Sequence, residues 1–152
     1  MLERLLHGFD GHPAHPPLTD ATIGMFVLAG VLAVVGRAGV AEGKLGPATW
    51  LALIGGLAAA VPTATTGFAD WVRIEWGSDM WRTATVHLCA MVTAVTLFAI
   101  AAWLQWPGYQ NGNVTLSGLV LTVAGVVVLT VGGWYGGTVV FKHGMRVARP
   151  NE

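Results

Sequence analysis

Four long stretches of this chain contain no Asp, Glu, Lys or Arg: residues 21–36, 48–69, 83–106 and 114–141. A hydrocarbon layer about 30 Å thick is crossed by roughly 20 helical residues rising 1.5 Å each, and the last three stretches meet that length outright. The first reaches it, extending to about Ala41, if Arg37 carries its charge back to the headgroups along its flexible stem. Membrane barrel strands are the weaker reading, because each run is too long and lacks alternation of apolar and polar residues. The expectation is an all-α integral membrane protein: one four-helix bundle over residues 1–152, with helices over about 20–41, 47–69, 81–106 and 114–142 behind a short leader over 1–19. Composition agrees, with 11% charged residues against 54% hydrophobic. A cleaved signal peptide is disfavoured, since the leader has no positive excess and is long for such a segment.

The punctuation between the stretches fits four helices. Pro16 and Pro17 are expected to stop any earlier helix, leaving Thr19 or Asp20 to cap the first span. Pro47 suits a first helical turn, and the segment from Gly108 to Asn113 has turn chemistry. Pro62 lies within the second span and should kink it, with Thr63, Thr65 and Thr66 able to satisfy carbonyls.

Chain direction then assigns sides. If the N-terminus lies on side A, the chain returns there after the second and fourth helices, so both termini share side A. Arg4, Arg73, Arg82, Lys142, Arg146 and Arg149 fall on side A, against Arg37 and Lys44 on side B. The positive-inside rule makes side A cytoplasmic, and the expected location is a bacterial inner membrane. Trp71, Trp76 and Trp81 mark one boundary and Trp50, Trp103 and Trp106 the other, with Trp134 inside the fourth span.

All five histidines (His7, His12, His15, His87 and His143) fall at side A, with seven of the eight acids: Glu3, Asp10, Asp20, Asp70, Glu75, Asp79 and Glu152. Any site is therefore expected there. His87 lies about one and a half turns inside the third span, where an imidazole must be hydrogen-bonded, liganded or reached by water. His143 follows the fourth span. Gly132 and Gly136 lie on the helical face leading to it, and Gly133 and Gly137 form a second G-x-x-x-G. Such pairs serve close helix packing or dimerisation, or else leave room for a flat cofactor. His12 and His15 are held extended by the prolines that follow them, a weak metal signal alone that gains weight beside His87, His143, Asp20 and Asp70. His7 belongs to an amphipathic leader on the membrane surface. Asp70 follows a helix C-terminus, where the backbone dipole opposes it, so it needs a partner such as Arg82 or an imidazole.

The segments HPPLTDATIG (15–24), TGFADW (66–71), RTATVH (82–87) and GGWYGGTVVFKHG (132–144) together resemble a bacterial family of predicted four-helix membrane proteins catalogued as a domain of unknown function. In some relatives the unit is fused to a Rieske iron-sulfur domain, which implies an association with electron transfer. This chain has a single cysteine, Cys89, and so no means of building such a cluster or an internal disulfide. The resemblance marks His15, Asp20, Asp70, Trp71, His87 and His143. Met91 departs from relatives with a polar residue one turn after the histidine, and Thr138 from those with a histidine there.

Three functions stay open. The first is a redox or metal-binding membrane subunit, in its sharpest form holding b-type haem between two of His15, His87 and His143, with Arg82 or Arg146 near the propionates and Gly132 and Gly136 beside the ring. The second is a zinc, copper or iron site drawn from His12, His15, His87, His143 and Asp20. The third is a structural or assembly subunit whose glycine face binds a homo-oligomeric or redox partner. An enzyme acting alone is not expected, since the chain has no H-E-x-x-H, G-x-S-x-G or phosphate loop. With a formal net charge of zero, the lipid bilayer is the expected partner and nucleic acid is not.

Overall fold

The computed structural model describes residues 6–8, 12–145 and 147. Glu3, Arg4, Asp10, Arg146, Arg149 and Glu152 lie outside the described residues. Four helices carry the fold: α1 (His15–Arg37), α2 (Leu45–Trp71), α3 (Asp79–Asn111) and α4 (Leu116–Phe141). Each is long and apolar enough to cross a bilayer, with mean hydropathies of 2.1, 1.5, 2.0 and 2.1 over the most apolar windows. They pack as antiparallel neighbours, most extensively α3 on α4 and α1 on α2, and α1 closes the ring against α4. The outer surface is apolar, with Leu51, Val61, Val92 and Val127 each more than half exposed. A soluble monomer would not leave so much continuous apolar surface bare, whereas lipid covers it without cost.

The helix limits depart from the sequence expectation in instructive ways. Pro16 and Pro17 do not stop a helix but occupy the first turn of α1, where a missing N–H costs nothing. The helix therefore starts at His15, and neither Thr19 nor Asp20 caps it. Instead the Thr19 hydroxyl donates back to the His15 carbonyl at 2.9 Å. At the other end α1 stops at Arg37, not Ala41, and a turn carrying positive φ at Gly39, Ala41 and Gly43 leads to α2. Helix α3 runs through Pro107 to Asn111, beyond the expected end at 106, and closes on Gly112 in the left-handed conformation at φ 75°. Ser78 and Thr115 cap α3 and α4 through their hydroxyls.

Two features hold the bundle together. At mid-depth the fully buried rings of Phe26 (α1) and Phe98 (α3) stack with centroids 3.9 Å apart and an interplanar angle of 8°. Gly56 (α2) closes over Phe26 and Gly125 (α4) over Phe98: a Cβ on either glycine would sit 2.6 Å from ring carbon. All four helices thus meet in one layer, and only glycine lets the outer two approach so closely. On side B the fully buried amide of Gln105 donates to the Asn113 carbonyl at 2.8 Å, while its oxygen accepts from the Thr115 N–H at 3.0 Å. That side chain ties the α3–α4 turn to the start of α2, whose Gly46 carbonyl is 3.4 Å away. Nearby, Trp50, Trp106 and Tyr109 form a cluster with ring centroids 4.7–5.2 Å apart.

Candidate imidazole site

Helical geometry decides which side-A residues face inward. With α1 beginning at His15, the positions His15, Thr19, Thr22, Phe26, Ala29 and Ala33 recur on one face. Asp20 lies well round from that face and is exposed. It is not brought to the histidines, contrary to its expected place in a metal site. His12 is exposed outside the helix, and Arg82 is exposed on α3.

His15 points into the α1–α2 interface. Its Nδ1 lies 3.0 Å from the Thr63 carbonyl and 3.2 Å from the Thr66 hydroxyl. A carbonyl only accepts, so Nδ1 carries the proton and Nε2 the lone pair of the neutral ring. The Thr19 hydroxyl lies 3.4 Å from Nε2, but its proton is already given to the His15 carbonyl, so this contact does not use the lone pair. Space for the ring comes from Gly67, where a Cβ would meet Cε1 at 2.7 Å. Around it, hydroxyls of the α2 threonines bond carbonyls flanking Pro62: Thr63 to Ala59, Thr65 to Val61 and Thr66 to Pro62. Thr63 also reaches the Leu18 carbonyl of α1 at 3.1 Å, which draws the two helices together.

His87 is held in the same manner in the α3–α4 interface. Its Nδ1 donates to the Gly132 carbonyl at 2.8 Å, again leaving the lone pair on Nε2. A Cβ at Gly136 would meet the ring at 2.9 Å, and one at Gly132 would strike the Met91 methyl group. The glycine face of α4 therefore houses His87 and Met91, and the room expected there for a flat cofactor is taken by these two side chains. Gly133 has nothing within 4 Å and Gly137 meets only Phe141 of its own helix, so the second G-x-x-x-G faces lipid beside the exposed Trp134.

A model of a family of predicted membrane proteins, DUF2231, matches residues 11–149. The chain belongs to the DUF2231 family. No curated protein and no solved structure matches it. This DUF2231 chain is a membrane protein, and the family description carries no activity.

The remaining side-A groups of the DUF2231 chain divide into two sets. His143 stands apart: its Nε2 is 3.1 Å from the Thr83 hydroxyl, whose proton goes to the Asp79 carbonyl, so His143 donates through Nε2 and has the opposite tautomer from His15 and His87. By contrast Asp70, only 7% exposed, lies near enough to His15 to act on it electrostatically, as does His87. Its carboxylate is 2.8 Å from Nδ1 of His7, and both side chains are about nine-tenths buried. Among the described residues Asp70 thus has an imidazole as a partner, where Arg82 was one of the expected candidates. His7 is correspondingly no surface residue but a packed one. Sequence reasoning passed over it because a leader outside the spans gives no periodic signal of what it will dock against. Asp70 also lines an open cleft of about 530 Å³ at the boundary, with Arg73, Ile74, Glu75, Ser78, Met80 and Met145. Among the described residues, no three His, Cys, Asp or Glu side chains gather closely enough to form a metal-binding group on their own.

Proposed function

We propose that this protein is a membrane-embedded metal-binding subunit of the electron-transfer type, in which His15 and His87 supply the ligands through Nε2. One observation carries the reading. Each imidazole rests on a glycine and donates Nδ1–H to a backbone carbonyl of the next helix. That outer hydrogen bond is the arrangement that fixes tautomer and orientation in ligating histidines and raises the basicity of the other nitrogen. No hydroxyl or N–H among the described residues gives its proton to either Nε2, and neither nitrogen is a sealed-off atom lacking a partner, so each stays open to a ligand. Imidazole suits copper, zinc and iron ions, with copper favoured on intrinsic affinity.

A b-type haem with His15 and His87 as its axial ligands is the second reading. It is favoured by the equal depth of the two residues, each 11 positions before a phenylalanine of the central stack. It is disfavoured by the filling of the Gly132–Gly136 face, so a haem would have to lie between the α1–α2 and α3–α4 pairs. The excess of Lys and Arg at the histidine end supports a cytoplasmic site in an inner membrane.

Detergent-purified protein, analysed by elemental analysis and absorbance spectroscopy, tests the proposal. Stoichiometric copper, zinc or iron that is lost in both His15→Ala and His87→Ala supports it, and a Soret band selects the haem form. A colourless preparation that is metal-free and takes up neither copper, zinc nor haem on titration would refute it in favour of a purely structural subunit.

A further inference from the structure

The two imidazole cradles are more alike than neighbouring sites need be. His15 and His87 lie 72 residues apart, and so do Phe26 and Phe98, Ala29 and Ala101, and Gly36 and Gly108. The buried positions Thr22, Phe26, Ala29, Gly30 and Ala33 of α1, moved by the same 72, become Ala94, Phe98, Ala101, Ala102 and Gln105, all buried in α3. Helices α2 and α4 match at an offset of 69. Gly56 maps onto Gly125 and Gly67 onto Gly136, and Thr63 and Gly132, whose carbonyls accept from the two imidazoles, correspond too. The buried residues Thr49, Leu53, Ala60 and Asp70 fall on Gly118, Thr122, Leu129 and Val139, which are also buried. The three-residue difference in offset is absorbed by the shorter turn after α3. Because α1 and α3 run in the same direction, the symmetry relating the pairs is a two-fold axis along the membrane normal. The nearly parallel Phe26 and Phe98 rings lie against each other across it.

We infer that the chain is one helical hairpin repeated in tandem, and that His15 and His87 are the two halves of a single metal site on the internal two-fold axis. This rests on the reading of both residues as ligands and adds the number of sites and their chemistry. Two symmetry-related imidazoles close enough to influence each other electrostatically would supply two nitrogens to one metal, which suits an ion content with two nitrogen ligands: a cuprous ion, or a haem iron. No third protein ligand is required, in keeping with the lack of a three-residue group among the described residues. The surroundings have diverged while the cradle has persisted. Thr19 is replaced by Met91, Thr66 by Tyr135 and Asp70 by Val139, so polar support with His7 survives on the first hairpin alone. The two ligands are thus equivalent in geometry and unequal in environment.

Titration of the full-length protein in detergent with cuprous ion under reductant, and separately with haemin, reads both the number and the sharing of sites. The inference expects one equivalent per chain from one of the two probes, and loss of at least 90% of binding in His15→Ala and in His87→Ala alike. Gly67→Ala and Gly136→Ala, which displace the rings without removing a ligand, should weaken that binding at least tenfold while circular dichroism stays unchanged. Two equivalents per chain, with one retained in each single histidine variant, would overturn the shared site but leave the metal-binding reading standing. Uptake of neither probe, nor of zinc, by folded wild-type protein would overturn both. Binding at one equivalent that survives His15→Ala would overturn the two-fold site and assign the metal to the second hairpin.

Discussion

Gly125→Ala puts the central layer to its most demanding test. The added methyl carbon would lie 2.6 Å from one carbon of Phe98 and 2.9 Å from two others. The ring must retreat by close to 1 Å to reach ordinary contact, but Phe98 has no free side: it stacks 3.9 Å from Phe26, which is itself closed by Gly56. The displacement is handed across all four helices. Overpacking of this kind costs about 1–3 kcal/mol, offset by at most ~1 kcal/mol from the better helix propensity of alanine. A net loss of about 1–2 kcal/mol, or roughly a 5- to 30-fold fall in the folded-to-unfolded ratio, is expected. Unfolding by sodium dodecyl sulfate in mixed micelles, followed by circular dichroism, provides the measurement. Gly24→Ala is the control, since nothing lies within 4 Å of its added carbon and it should be neutral or slightly stabilising. A smaller side chain in Phe98→Leu should be less harmful with alanine at position 125 than with glycine, so the double variant should lose less than the sum of the two single losses. Equal stability of Gly125→Ala and Gly24→Ala would refute the close-packed four-helix layer.

Further outcomes follow from other parts of the molecule. Gln105→Leu leaves the part-buried Asn113 carbonyl and Thr115 N–H without their partner and should cost about 0.5–1.5 kcal/mol in the same unfolding measurement; an unchanged midpoint would deny the amide its bridging role. Asp70→Ala strips His7 of its carboxylate, so limited proteolysis should cleave the leader several-fold faster than in wild type, with equal rates as the contrary result. Cys89 is exposed on a span that lipid surrounds, and should react readily with a bilayer-soluble maleimide but slowly with a charged one in intact membranes. Comparable rates would argue for a water-lined face. Gly133→Leu, on the outward face, should leave the unfolding midpoint within about 0.5 kcal/mol of wild type, because the new side chain meets only lipid.

The membrane fold was legible because hydrocarbon demands long charge-free helices, and this chain has little else. The site was legible only in part, for reasons that differ from residue to residue. His87 could be singled out by depth alone. His15 was a candidate from the start, but its place in a helix was hidden by two prolines that read as helix stops when they are in fact first-turn residues, and once the helix starts there its angular position separates it from Asp20. Gly132 and Gly136 were visible as a side-chain-free face, but sequence does not distinguish a groove left for a cofactor from one filled by the protein's own imidazole. His7 and the Gln105 knot depend on contacts distant in sequence, which carry no periodic trace.

The internal repeat was masked by the same composition that revealed the fold. In apolar helices, shared alanines and leucines are uninformative, so the repeat survives as a few spaced positions: a histidine, a phenylalanine 11 residues on, and glycines opposite both. Those positions form two layers, a ring–glycine contact at mid-depth and an imidazole–glycine contact at the boundary, each made twice. The first layer is explained by packing, because stacking aromatic rings across an axis requires small residues behind them. The second is not, since a buried phenylalanine or leucine would fill the space over Gly67 or Gly136 without leaving a nitrogen to be satisfied. Retention of imidazole in both hairpins, while Thr19, Thr66 and Asp70 diverged to Met91, Tyr135 and Val139, is therefore the strongest reason to look for a ligand at His15 and His87 and not at His143.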